Sequence, residues 1–168
     1  MSRLYSLLLI FLVSLPLFAF GQKDKTVIIL VRHGEADKAT GNNPSLSATG
    51  KALAERLPEI LKGYDVDEIY STPFNRTMQT AAPLATKEGI TVKTYDAFNL
   101  RSLADSLKRK KGTIVVFGHS NTAPSLANYI SGLNRYVNIP ESVFDRAYII
   151  TIKEDKVVIE EKSYEDLD

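Results

Sequence analysis

Two uninterrupted aliphatic runs constrain this chain more than any other feature. Val27–Val31 (VIILV) leads into Arg32-His33-Gly34-Glu35, and Thr113–Phe117 (TIVVF) leads into Gly118-His119-Ser120-Asn121. Runs of this length are too short for a typical helix and rich in β-branched residues. They read as strands buried on both faces, which parallel sheets require and helices must cover. Both runs therefore deliver a histidine to a strand end, and the chain has only two histidines.

The segments between them fit that frame. Ser47 is a plausible N-cap for a helix over 47–63, with Leu53, Leu57, Ile60 and Leu61 on one face. VDEIYST reads as a strand, and 74–89 as a helix stopped by Gly89, with a kink expected at Pro83. ITVKTY reads as a strand, SLADSLKRKKG as a helix, and TAPSLANYISGL as a helix closed by Gly132. AYIITI and KVVIEEKSY form a hairpin, and YEDLD reads as a frayed acidic tail. The expected fold class is α/β: a mainly parallel sheet flanked by helices on both faces, with a C-terminal edge hairpin.

Residues 1–21 differ from the rest. One arginine precedes the apolar stretch SLLLIFLVSLPLFAF, and Ala19-Phe20-Gly21 supplies small residues before a cut. This is the pattern of a secretory signal peptide cleaved near Gly21, leaving one domain over 22–168; an uncleaved N-terminal anchor is the alternative. The expectation is an exported protein, periplasmic or secreted, with no stable membrane association after cleavage. Losing Arg3 leaves 20 basic and 20 acidic residues, so no global field recruits nucleic acid. Cysteine is absent, so the core holds the fold without disulfides. No long apolar surface stripe demands a partner, which points to a monomer or weak dimer.

In open α/β sheets, ligands gather beyond the carboxyl ends of the strands. There the sequence offers Arg32, His33 and Glu35; then Ser71, Thr72, Asn75 and Arg76; then His119, Ser120, Asn121 and Thr122. Guanidinium forks match phosphate oxygens and stay charged, and a neutral imidazole attacks phosphorus to give a covalent intermediate. His33 is the expected nucleophile, with Arg32, Arg76 and protonated His119 on the equatorial oxygens. Asn121 is a further phosphate-binding candidate, although GHSN also turns from strand to helix. Glu35 either pairs with an active-site arginine or starts a solvated loop. No local metal-ligand motif joins the histidines, and the flanking arginines would repel a cation, so neither metal nor cofactor is expected. The KRKK run at 108–111 reads as a solvated face.

The motifs VRHGEA, STPFNRTMQTA and VFGHSNT, in this order and each at a strand end, resemble the histidine phosphatase superfamily, the phosphoglycerate-mutase-like proteins. PSLSATG is similar to the family's turn after the RHG triplet, and FDRAYIITI to its closing edge strand. The resemblance implies a phosphohistidine intermediate on His33 and phosphate contacts from Arg32, Arg76 and His119. Many members carry a glutamate between the arginine motif and the second histidine as the leaving-group acid. Here 91–112 holds no glutamate, only Asp96 and Asp105. Asp96 is the better candidate acid and Glu35 a second, and the chain looks similar to the short bacterial phosphohistidine phosphatases. The expected activity is a metal-independent phosphatase acting on a small phosphorylated substrate. A non-catalytic phospholigand-binding protein and a mutase or phosphotransferase are the alternatives.

Overall fold

The computed structural model describes residues 24–154 and 156–167; the expected signal peptide lies outside the described residues. Six strands form one sheet in the order β3-β2-β4-β1-β5-β6. They are β1 (Lys25–Arg32), β2 (Val66–Ser71), β3 (Lys93–Thr94), β4 (Gly112–Gly118), β5 (Arg146–Lys153) and β6 (Lys156–Ser163). β3, β2, β4 and β1 run parallel, while β5 and β6 add antiparallel, so the sheet is mixed. β1 and β4 lie side by side at its centre, where nearly every residue of both is buried. That position explains why they carry aliphatic runs with no alternation.

Helices cover both faces. α1 (Ala48–Ile60) and α2 (Asn75–Glu88) pack on one core cluster, with Leu57, Ile60, Leu84, Ile29 and Phe117. α3 (Leu100–Lys108) and α4 (Thr122–Ser131) cover the other, with Leu107, Leu126, Ile28 and Val116. The helix ends follow local chemistry. The Ser47 hydroxyl accepts from the Gly50 N–H at 3.1 Å, and Gly89 and Gly132 close α2 and α4 at φ +66° and +72°.

Two expectations change. The ITVKTY strand shrinks to Lys93–Thr94, because it pairs only with β2 at the sheet edge and has no second neighbour to extend its ladder. The YEDLD tail is not frayed. Tyr164 is buried at 4% exposure, and Ser163 and Asp166 cap the 3₁₀ turn Tyr164–Asp166 reciprocally. An aromatic ring on the core outweighs the acidic composition around it. Within KRKK, Lys108 pairs with Asp105 and Lys110 with Glu68, so the run is tied into surface ion pairs.

Candidate active site

The carboxyl ends of β1 and β4 are stitched together just past the sheet. The His33 N–H donates to the Gly118 carbonyl at 2.9 Å, so the two histidine-bearing turns share one crossing point. The imidazole centroids lie 5.3 Å apart. The turn after His33 is held from α2, where the Gly34 N–H donates to the Thr80 hydroxyl at 3.0 Å and that hydroxyl donates to the Arg76 carbonyl at 2.6 Å. It is also pressed on α1. A Cβ on Gly50 would meet the Glu35 carbonyl oxygen at 2.1 Å, and one on Gly34 the Gly50 carbonyl oxygen at 2.8 Å. The two backbones touch, so these glycines are required by close approach rather than by dihedral freedom.

Arg76, in the first turn of α2, connects the histidines. Its Nε donates to His33 Nε2 at 3.1 Å and its Nη2 to His119 Nδ1 at 3.2 Å. Because arginine can only donate, both ring nitrogens present lone pairs. His33 Nδ1 therefore carries the proton and donates to the Gly34 carbonyl at 2.7 Å. His119 Nε2 carries its proton toward the Thr72 hydroxyl at 3.0 Å, which passes the chain to Thr77 at 2.8 Å. Thr77 ends it by donating to the Phe74 carbonyl at 2.9 Å. Tautomer and ring orientation are thus set at both histidines.

Burial, more than the arginines, lowers both imidazole pKa values. His33 falls to about 4, its hydrogen bond to Gly34 opposing and Arg76 and Arg32 adding to the shift. His119 falls to about 3, with Arg76, His33 and Arg32 reinforcing burial. Both rings are neutral near pH 7. Burial also lowers the Arg76 and Arg32 guanidinium values, with Glu141 opposing, but a guanidinium stays charged.

Arg32 is placed differently. It is buried, 1% exposed, and all four terminal N–H groups are engaged by the loop before β5. Nη1 donates to the Pro140 and Val143 carbonyls at 2.7 and 2.6 Å, and Nη2 to the Glu141 carbonyl and carboxylate at 3.3 and 3.0 Å. Phe144 lies under its guanidinium at 4.2 Å. Its Nε–H is buried without a partner among the described residues.

The other expected residues are more peripheral. Glu35 is exposed and lines an opening of about 320 Å³ with His33, Lys38, Glu141 and Phe144. Asn121 is exposed at the start of α4, and its side chain makes no capping hydrogen bond. The Asp96 carboxylate accepts the Phe98 N–H at 2.9 Å, and among the described residues it makes no hydrogen bond or ion pair with His33, Arg76 or His119. Asp96 does line an opening of about 400 Å³ beside Phe74, whose ring meets His119 edge-on at 5.3 Å. A larger pocket, about 590 Å³, lies at the opposite end of the sheet, by Asp24, Tyr64 and Thr113.

Sequence reasoning missed Glu141, Phe144, Thr80 and the role of Thr72. Glu141 also accepts from the Ser120 hydroxyl at 2.8 Å, so one carboxylate joins both histidine turns to the loop. Its loop has no periodicity to read. The polar STP strand end was the available signal for Thr72.

Residues 28–110 match the family model of the histidine phosphatase superfamily (branch 1). The chain is 36% identical over 66 residues to a 2,3-bisphosphoglycerate-dependent phosphoglycerate mutase of Thermoplasma acidophilum, covering 35% of this chain. The chain spans only 33–38% of the length of the curated relatives it matches. Among solved structures, it superposes on the protein histidine phosphatase SixA complexed with tungstate with a TM-score of 0.66 at 16% identity, covering 84% of this chain and 99% of that one. A phosphoserine phosphatase of Entamoeba histolytica in complex with 3-phosphoglyceric acid gives 0.67 at 18% identity, covering 85% and 100%. These superpositions establish the α/β architecture.

Proposed function

Because the chain belongs to the histidine phosphatase superfamily, we propose that it is a phosphatase hydrolysing a small phosphomonoester through a phosphohistidine on His33. The observation carrying this reading is the Arg76 bridge. It meets an unprotonated Nε2 on His33, fixed from behind by Gly34, in a ring neutral at working pH. A phosphoryl group entering between the rings takes over the Arg76 donors, and Nε2 faces phosphorus. Arg32 contributes positive charge behind the site.

In the first step a bond forms from His33 Nε2 to phosphorus while the ester P–O bond breaks. The departing oxygen takes a proton from Asp96 or from water. Water then attacks phosphorus, the N–P bond breaks, its proton returns to the donor, and inorganic phosphate leaves. His119 gains a proton as the dianion binds, since the nearby negative charge reverses the balance that keeps it neutral. Arg76, Arg32 and this imidazolium supply positive charge, so the proposal includes activity in the presence of a chelator. It also includes export, resting on the segment before Gly21. Protein recovered outside the cytoplasm beginning at Gln22 would support it, and protein found only in the cytoplasm would refute it.

The test is turnover of p-nitrophenyl phosphate by wild type and His33→Ala, with chelator present. Wild-type hydrolysis abolished in the variant, with an acid-labile, alkali-stable phosphoprotein in quenched samples, supports the mechanism. Activity surviving His33→Ala refutes it. Phosphate binding without turnover of any activated ester would favour the non-catalytic reading.

A further inference from the structure

Phe98 is 99% exposed, although its backbone is hydrogen-bonded into a turn. The Asp96 carboxylate accepts its N–H at 2.9 Å, and the Asn99 N–H returns to the Asp96 carbonyl at 3.1 Å, just before α3. This Asx-type turn presents the ring to solvent. The ring is not an isolated apolar group. It shares an opening of about 400 Å³ with Pro73, Phe74, Tyr95 and Ala97. Phe74 continues this surface into the candidate phosphate site, with its ring against His119 at 5.3 Å and the Arg76 guanidinium 4.9 Å from its centroid.

The charge of the opening narrows what it accepts. Among the described residues Asp96 is the one charged residue lining it, and the Arg76 guanidinium lies at its inner end over Phe74. The flank beside His33 differs, since Lys38 stands there with Glu35 and Glu141. A second phosphate or a carboxylate on the substrate would meet a carboxylate and aromatic rings on the Phe74 side. A flat apolar group would bury surface against those rings instead.

Building on the phosphate site proposed above, we propose that the Phe74–Phe98 opening receives the alcohol part of the substrate, and that this part is aromatic or apolar and uncharged or cationic. The phosphoryl group sits among Arg76, His33 and His119, and the organic group extends over Phe74 toward Phe98. This arrangement puts Asp96 on the side from which the alcohol leaves.

The test measures binding, so it does not depend on turnover. Titration of the protein with 2-phenylethylphosphonate and ethylphosphonate, whose C–P bonds resist transfer, compares the same anion with and without a ring. The phenyl compound should bind at least about tenfold tighter, by the area its ring removes from water. Phe98→Ala, at a fully exposed position, should cut that ratio to about threefold or less. Phosphonoacetate, with its second anion, should bind more weakly than ethylphosphonate. Equal affinities for the first two compounds, no binding of the phenyl compound at millimolar concentration, or a ratio unmoved by Phe98→Ala would each overturn the proposal. Were the ratio as expected while p-nitrophenyl phosphate stayed intact, the aromatic shelf would stand and the phosphatase reading would fall.

Discussion

Arg32 and Arg76 both act on the same pair of histidines and are used in opposite ways. Arg76 is half-buried, and among the described residues its side-chain hydrogen bonds go to imidazole nitrogens, groups that an incoming anion displaces readily. Arg32 is fully buried and spends its four terminal donors on the 140–143 loop. A guanidinium bonded to main-chain carbonyls cannot be released without leaving those acceptors unpaired. Residue type alone therefore does not distinguish a phosphate clamp from a structural tie. What does is whether the partners can be exchanged for phosphate oxygens.

The contrast can be broken by experiment. Arg76→Ala should have the largest effect, lowering kcat/KM about a thousandfold, as when a charge-stabilising donor is lost, with little change in Tm. A large Tm loss would show that Arg76 too is structural. Arg32→Ala should destabilise by about 3 kcal/mol, since the loop carbonyls lose their donors, which for a domain of this size lowers Tm by roughly 10 °C. An unchanged Tm would remove the distinction.

Acid should act through both histidines. Both histidines are held neutral, their pKa values lowered to about 4 and about 3, while the unfolded chain protonates them near the ordinary value of about 6.5. Between those limits the unfolded state binds more protons, so stability is complete above that ordinary value and is lost as pH falls toward 4. Tm of the ligand-free protein should follow this fall, and His33→Asn should make it shallower while His119 keeps the rest. In kcat/KM, which reports free enzyme and free substrate, no enzyme group should titrate at about 6.5, leaving the phosphomonoester's own ionisation at about 6 as the acid limb. Glu141→Gln should cost least, about 1 kcal/mol or less, because its carboxylate is 82% exposed where it meets Arg32. An effect as large as that of Arg32→Ala would mean that the ion pair, not the carbonyl contacts, holds the loop.

Much of the site was legible because its residues sit where a period breaks. Two aliphatic runs ending on RHG and GHS marked the central strands and their polar ends, and Arg76 stood out as a cation in the first turn of a helix. Asp96 and Glu35 were attractive only as acids of the right type; among the described residues neither makes a hydrogen bond to the histidines. Glu141 and Phe144 were illegible because their loop follows no repeat and its path is dictated by Arg32.

The sequence by itself determined the strand and helix order, the caps at Ser47, Gly89 and Gly132, and the delivery of both histidines to one end of the sheet. Those features depend on local propensity and on burial period, which neighbouring residues define. Only the tertiary structure decided that Arg76 bridges the rings while Arg32 holds the loop, which tautomers the histidines adopt, and that Tyr164 packs rather than frays. Each of these depends on hydrogen-bond partners or packing surfaces far away in the chain, and no local pattern encodes them.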